Sequence, residues 1–406
     1  MKNKPLFVFV FCVSFTISYS QQSDSTYINY KNGISKPSLL ATHPFGIFFT
    51  RIQGNFKTRP NKKTTINLSI ESGNVWSAPI TAYIPNDEAL REQVRQVPWH
   101  GTEFAFNVDE IDAKRINLSV DGVLKGFRAN LAYKINAQSE FNFGIRTFML
   151  TKGKAPFTLL TGDQFIEGFH DNIAGGNDPF ARRLFGLDKA KIFYTDRNNN
   201  TLEINNGDFF IGGFETSYYY YPELSINSFK NFYINFGAHL GINLSKYNAS
   251  LDFGISTNII KTYALNDLKY FQFGLSIGVI RKNGIEFKTN NIDFGTNKYL
   301  GYLENIIEYN FISKRKTTHS FGIDFYLQTS LNKKDEFEYI IPIRNGVSEK
   351  AWITGISNLY KNNNYWTFLY SFTRKTVTTT FYLQQDLNVN NNPDIQTGAS
   401  ITFGLK

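Results

Sequence analysis

The chain has almost no cysteine, no long apolar run beyond its first residues, and very few helix signals. Cys12 is the sole cysteine among 406 residues and sits inside an N-terminal stretch that reads as a leader. Beyond that stretch there is no disulfide, no thiol nucleophile and no cysteine metal site, which excludes the disulfide-stapled secreted class. No later segment approaches the roughly 20 apolar residues that a membrane-spanning helix needs. A concentrated basic helix is also missing. The formal charge is +9, yet Lys and Arg are scattered through loops and strand ends. Nucleic acid is therefore not an expected partner. Such charge at strand ends suits anionic lipid headgroups better.

At the N-terminus, Lys2 and Lys4 precede an apolar stretch from Leu6 to about Ile17, and Ser18-Tyr19-Ser20 follow. Small residues stand at the two positions a signal peptidase reads, so residues 1–20 are expected to be a signal peptide cleaved before Gln21. Losing Lys2 and Lys4 would lower the charge from +9 to +7.

What the chain has in abundance is aromatic residues, 39 Phe and 23 Tyr, with a negative mean hydropathy. The two are compatible when apolar residues alternate with polar ones. From Phe232 to Leu244 the apolar series Phe232, Ile234, Phe236, Ala238, Leu240, Ile242, Leu244 interleaves with Tyr233, Asn235, Gly237, His239, Gly241, Asn243. Side chains of a strand point alternately to opposite faces, so this is one strand with an oily face and a small, polar face. Its length exceeds that of an ordinary soluble strand and suits a tilted bilayer crossing.

The pattern recurs at 65–75, 124–135, 140–150, 208–221, 251–260, 270–280, 302–312, 320–331, 351–360, 365–373, 377–383 and 395–403. With the strand above, that makes thirteen, whereas single-chain bacterial barrels have an even number. Gly284–Phe294, with Ile285, Phe287 and Ile292, is the best further candidate. The expected fold is all-β: a transmembrane antiparallel up-and-down β-barrel of about fourteen strands, with twelve as the alternative and long extracellular loops.

Residues 21–64 are read as an N-terminal arm or plug segment and 65–406 as the barrel. If the first strand ascends from the periplasm, residues 76–123 and 151–207 are long outside loops and Asn136–Ser139 is a tight periplasmic turn. The last strand, Gln396-Thr397-Gly398-Ala399-Ser400-Ile401-Thr402-Phe403, resembles the C-terminal signal read by the barrel-assembly machinery. Here Gly404-Leu405-Lys406 follow the aromatic residue that usually ends it.

The loop 151–207 holds the densest chemistry. Phe165-Ile166-Glu167-Gly168-Phe169-His170-Asp171 is followed by Gly175-Gly176, Arg182-Arg183 and Tyr194-Thr195-Asp196-Arg197-Asn198. Glu167, His170 and Asp171 fit one helical turn, because positions three and four apart face each other. Such a group could orient an imidazole, bind an ion or fix the loop, while Phe165, Ile166 and Phe169 favour packing on the barrel rim. Arg182 and Arg183 suit phosphate or carboxylate recognition, lipopolysaccharide phosphates included. The order of these residues resembles the DUF3187 family of bacterial proteins, most specifically over Phe165–Asp171 and more loosely from Gly122 to about Phe214. Gly207-Asp208 stands where that family opens its next strand. The resemblance implies an outer-membrane setting and no established biochemical activity.

Three apparent motifs are discounted. Gly274-Leu275-Ser276-Ile277-Gly278 fits a hydrolase elbow, which requires a strand–turn–helix, but it lies within an alternating strand. Asp196, Asn198 and Asn200 echo a calcium loop, yet Thr201 and Gly207 replace its required Gly and Glu. His239 is read as a lumen-lining or a hydrogen-bonded side chain in preference to a metal ligand.

The functional expectation is an integral outer-membrane, porin-like barrel acting as a passive or ligand-selective channel, with Asn235, Asn243, Gln272, Ser276, Asp324 and Gln328 facing lumen water. The alternatives are a lipid- or lipopolysaccharide-modifying enzyme using His170, and a closed structural or adhesive barrel. No enzyme activity, metal or cofactor is assigned. Lipid, lipopolysaccharide and the assembly machinery are the expected partners.

Overall fold

Alternation of the kind seen at Phe232–Leu244 runs through the sheet in the computed structural model, which describes residues 31–36, 44–82, 116–154, 158, 160–173, 182–196, 198–333, 361–385 and 395–405. The strands are β1 (Thr65–Ala82), β2 (Ile116–Lys134), β3 (Ser139–Thr151), β4 (Lys191–Thr195), β5 (Thr201–Asn205), β6 (Phe209–Tyr220) and β7 (Phe232–Leu244). They continue as β8 (Ala249–Asn266), β9 (Lys269–Glu286), β10 (Tyr299–Ile312), β11 (Thr317–Gln328), β12 (Asn363–Arg374), β13 (Val377–Gln385) and β14 (Ile395–Gly404). Short helices cover Asp163–Asn172 (α1), Arg182–Phe185 (α2) and Ser225–Lys230 (α3), and a 3-10 turn covers Pro44–Phe48.

Closure is decided at β1. It pairs with β14 from Thr65↔Gly404 to Gly73↔Gln396 and, on its other edge, with β2 from Thr65↔Ala132 to Ala82↔Ile116. Twelve antiparallel strands thus form a closed up-and-down barrel, and β4 and β5 add a hairpin to the sheet. Closure leaves no edge in the wall to pair with another chain.

The wall count is therefore twelve, the alternative, and the sheet as a whole has fourteen strands once β4 and β5 are included. Gly284–Phe294 is not a separate strand: Gly284, Ile285 and Glu286 end β9, and the chain then leaves the sheet. The candidate at 351–360 lies outside the described residues. β1 also runs past Val75 to Ala82 and β2 starts at Ile116, so the connection between them is shorter than 76–123. Where the pairing of β2 with β3 ends, β4 takes over the same edge of β2, pairing Asn117↔Thr195 to Asp121↔Lys191.

The two faces of the wall separate cleanly. Phe127, Leu131, Tyr133, Phe143, Phe236, Ile255, Ile277, Ile307, Phe321, Ile323, Phe368 and Phe381 are exposed on the outside. So large an apolar belt on a soluble protein would drive association. Inside, Asn235, Asn243, Gln272, Ser276 and Asp324 are fully buried and Gln328 nearly so. They face inward as expected, but they are packed against protein and not bathed in water. The segment ahead of β1 bonds Asn235 and Asp324 directly, while Asn243, Gln272, Ser276 and Gln328 bond other wall residues.

Candidate functional site

Residues 31–36 and 44–64 occupy the barrel lumen as two limbs. Lys31 donates to Glu308 and Ser320, near the rim of short turns between β10 and β11, at 2.7 and 2.9 Å. The 3-10 turn Pro44–Phe48 sits toward the other rim: Phe45 meets Tyr194 edge-on at 4.6 Å and Phe48 stacks on Phe294 at 4.9 Å. The second limb then returns toward the first rim, where the Asn61 amide donates to Glu140 at 3.0 Å before β1 begins. The limbs also bond each other, through Ile34 N to Phe56 O at 2.9 Å and through Asn32, which accepts from Thr58 and Arg59.

The polar wall residues are spent on the main chain of this segment. Asp252 accepts from Thr50 N (2.9 Å), Glu304 from Gly54 N (2.8 Å) and Asn258 from Asn55 N (3.0 Å). Asn235 donates to Asn55 O (2.9 Å) and Lys57 O (3.0 Å), and Arg146 to Ile47 O (3.2 Å) and Phe49 O (2.7 Å). Asn248 donates to Phe48 O at 2.9 Å, and Lys282 donates to Thr50 O. Buried backbone groups must be paired, and here the wall supplies the partners.

Small residues make the room. A Cβ on Gly241 of β7 would collide with Thr50, and one on Gly254 of β8 would come within 2.5 Å of Ile52 Cδ1. The glycine face of β7 is the seat of the returning limb.

The charges divide in an informative way. The inward wall carries Glu71, Glu140, Glu215, Asp252, Glu304, Glu308 and Asp324 against Arg128, Arg146 and Lys282. Each wall base takes a wall acid: Arg128–Glu71 at 2.9 Å, Arg146–Glu215 at 3.1 Å and Lys282–Asp252 at 3.7 Å. The other four carboxylates meet lysines of the lumen segment. Lys57 pairs with Glu140 at 2.5 Å, Lys31 with Glu308 at 2.7 Å, and Lys36 with Asp324 at 2.9 Å and with Glu304. Arg51 lies 4.1 Å over the Tyr326 ring. Residues 31–64 contain Lys31, Lys36, Arg51, Lys57, Arg59, Lys62 and Lys63 and no Asp or Glu. That acid-free run was the sequence signal for these partners, and reading the segment only for its apolar residues misses it.

The five loop residues singled out by sequence come together on the outside of the wall. Helix α1 places Glu167 Oε1 3.8 Å from His170 Nδ1. Arg182 Nε and Arg183 Nε each lie 3.7 Å from the Glu167 carboxylate, and Arg183 pairs with Asp171. Arg182 is fully buried, bonding Asp163 at 2.8 Å and Asn74 at 2.7 Å with its guanidinium 5.4 Å over Trp76. Asp163, Asn74 and Trp76 are the partners the motif did not announce. Asn74 also donates to Asp163 at 2.7 Å, and Ser72 shares a hydrogen bond with Thr161 at 2.7 Å. Ser72, Asn74 and Trp76 lie on the face of β1 opposite the inward Glu71. The arrangement clamps α1 to the wall, with Arg183 the arginine of the pair that reaches the surface.

The discounted motifs are structural. Ser276 lies within β9, donating to Asn258 at 2.7 Å and sharing a hydrogen bond with Tyr302 at 2.8 Å. Asp196 accepts from Asn198 N, Asn200 N, the Asn200 side chain and Asp293 N, so its carboxylate ties two loops together. His239 sits between Ser217 and Ser256, at 2.8 Å from each. Away from the wall, a hydrogen bond from Lys191 at 2.9 Å holds the exposed Glu203 carboxyl below its usual range.

No protein-family model and no curated protein sequence matches the chain. The likeness to the DUF3187 proteins therefore rests on the quoted residues alone. Among solved structures, an outer membrane channel from Pseudomonas putida F1 aligns with TM-score 0.38 and 7% identity over 84% of this chain and 96% of that one. The NanC porin aligns with TM-score 0.36 and 7% identity over 70% and 93% of the two chains. LpxR from Salmonella typhimurium aligns with TM-score 0.35 and 8% identity over 84% and 100%. Likenesses this distant carry no argument about activity.

Proposed function

We propose that the protein is an integral outer-membrane barrel that works as a gated, ligand-selective channel, held shut at rest by its own N-terminal segment. The supporting observation is the character of the plug contact. It combines hydrogen bonds and ion pairs to a polar wall with apolar seats, the largest at Phe45, Ile47, Phe48 and Phe49. Polar contacts can be exchanged for water or ligand at small net cost, so the ion-paired stretches around Lys31, Lys36 and Lys57 are the parts that give way first. The exposed Phe, Ile and Leu belt supports the lipid setting. Lipid chemistry at His170 has no comparable support, since Glu167 beside it faces Arg182 and Arg183.

Planar-bilayer recording of the full chain tests this reading. The wild type is expected to be silent at low voltage, with brief openings. Lys31→Gln/Lys36→Gln/Lys57→Gln removes two buried lysines and one half-buried one, the buried pairs each worth about 3–5 kcal/mol when one side is deleted, and is expected to open the lumen. A wild type that conducts steadily would mean that the segment is no plug. A triple variant that stays silent would favour a closed structural barrel.

A further inference from the structure

We propose that the ligand which displaces the plug is an extended basic peptide, and that the lumen segment is its built-in mimic. The inference rests on the gated-channel reading and names the ligand class for the same site.

Once the wall bases have taken their wall acids, Glu140, Glu304, Glu308 and Asp324 remain. Lysines of the lumen segment take all four. When that segment leaves, four carboxylates in a confined, poorly solvated passage lose their counter-charge. Such a passage draws in cations and repels anions. Repulsion of this kind selects against anionic solutes as firmly as the pairing selects for cationic ones.

The second half of the argument is the backbone. Asp252, Glu304 and Asn258 accept from consecutive stretches of peptide N–H, at Thr50, Gly54 and Asn55. Asn235, Arg146 and Asn248 donate to peptide carbonyls at Asn55, Lys57, Ile47, Phe49 and Phe48. These groups read a main chain and not the side chains on it. A wall that combines main-chain donors and acceptors with spare carboxylates fits a lysine-bearing peptide. It fits a sugar or a simple amine less well, because neither presents alternating N–H and C=O groups. Beside Gly241 and Gly254 the passage has room for the side chains of an extended limb, as Thr50 and Ile52 show.

The test uses the full chain carrying Thr50→Cys, a smaller side chain at a buried site of the plug, with Cys12 replaced by Ser so that the probe has one target. A membrane-impermeant maleimide reports how often the segment leaves its seat. Tetralysine at ten times its Kd is expected to raise the labelling rate about tenfold, by mass action on the displaced state. Tetraglutamate is expected to leave it unchanged, and spermine, which has the ammonium groups without the peptide bonds, to act much more weakly. In Glu304→Gln/Glu308→Gln/Asp324→Asn the basal rate should rise and tetralysine should add little. Labelling indifferent to tetralysine, or spermine as effective as tetralysine, overturns the proposal. If labelling ignores tetralysine while the Lys→Gln channel opens, the ligand class alone is wrong. If that channel also stays silent, the gating reading fails with it.

Discussion

Gly241→Val is expected to unseat the plug and turn a silent barrel into a conducting one. The position lies three residues before the end of β7, facing inward, where a Cβ would collide with the Thr50 side chain. The strand has little freedom to retreat, because it is bonded on both sides, through Glu215↔Gly241 to β6 and Gly241↔Asp252 to β8. The plug must give way instead. Overpacking costs about 1–3 kcal/mol, which moves a seated–unseated balance by roughly five- to 150-fold. Single-channel open probability reads this directly. The partner substitution distinguishes the proposed cause from a damaged barrel: Thr50→Gly in the same chain should restore closure, since neighbouring effects of this kind are not additive. An open probability that Thr50→Gly cannot bring down would place the fault in the wall.

The second large effect is expected from Arg182→Ala, and it should spare the lumen. Arg182 is fully buried between Asp163, Asn74 and Trp76. Removing its charge deprives Asp163 of its guanidinium partner and Glu167 of one of its two arginines. Breaking a buried pair in this one-sided way costs about 3–5 kcal/mol. The cost falls on the docking of α1 against β1, so hydrogen exchange should speed up through Asp163–Asn172 while the amides of β7–β11 keep their protection. Arg183→Ala, at a largely exposed site, should change exchange little, because surface pairs contribute about 0–1 kcal/mol. Unchanged protection of α1 in Arg182→Ala would mean that the clamp lies elsewhere.

How far the architecture could be read in advance follows from where each apolar residue is buried. β7 spans Phe232–Leu244, residue for residue as its alternation predicts, because lipid and lumen impose opposite demands on successive side chains. Gly284–Phe294 misleads for a physical reason. Phe294 is apolar to pack on Phe45, Phe48 and Tyr194 inside the barrel, and not to face lipid. Periodicity cannot distinguish these two kinds of burial. Trp76 misleads in the opposite sense, since it lies outside the wall yet is buried under Arg182, and β1 continues beyond it.

The loop motif was legible as a cluster because helical spacing sets Glu167 against His170. Its anchor was not legible, since Asn74 and Arg182 are joined only through the tertiary fold. The plug contacts were half legible. Inward Asn, Gly and His on β7 announce a polar or cramped interior, while the basic, acid-free composition of residues 31–64 needed to be set beside the acidic wall to mean anything. A reading for water-filled space and one for a packed segment predict the same small, polar strand face.

A designed disulfide tests most directly that the N-terminal segment lies inside the barrel. A Cβ at position 254 would sit 3.4 Å from Ile52 Cγ1, whose place the sulfur of Ile52→Cys would take, near the roughly 3 Å between a Cβ and the partner sulfur of a disulfide. In the full chain carrying Ile52→Cys and Gly254→Cys, mild oxidation is expected to yield a nearly complete intramolecular disulfide, lock the lumen shut in bilayer recordings, and release it on reduction. Two free thiols that both react with maleimide after oxidation, with conductance untouched, would contradict the account.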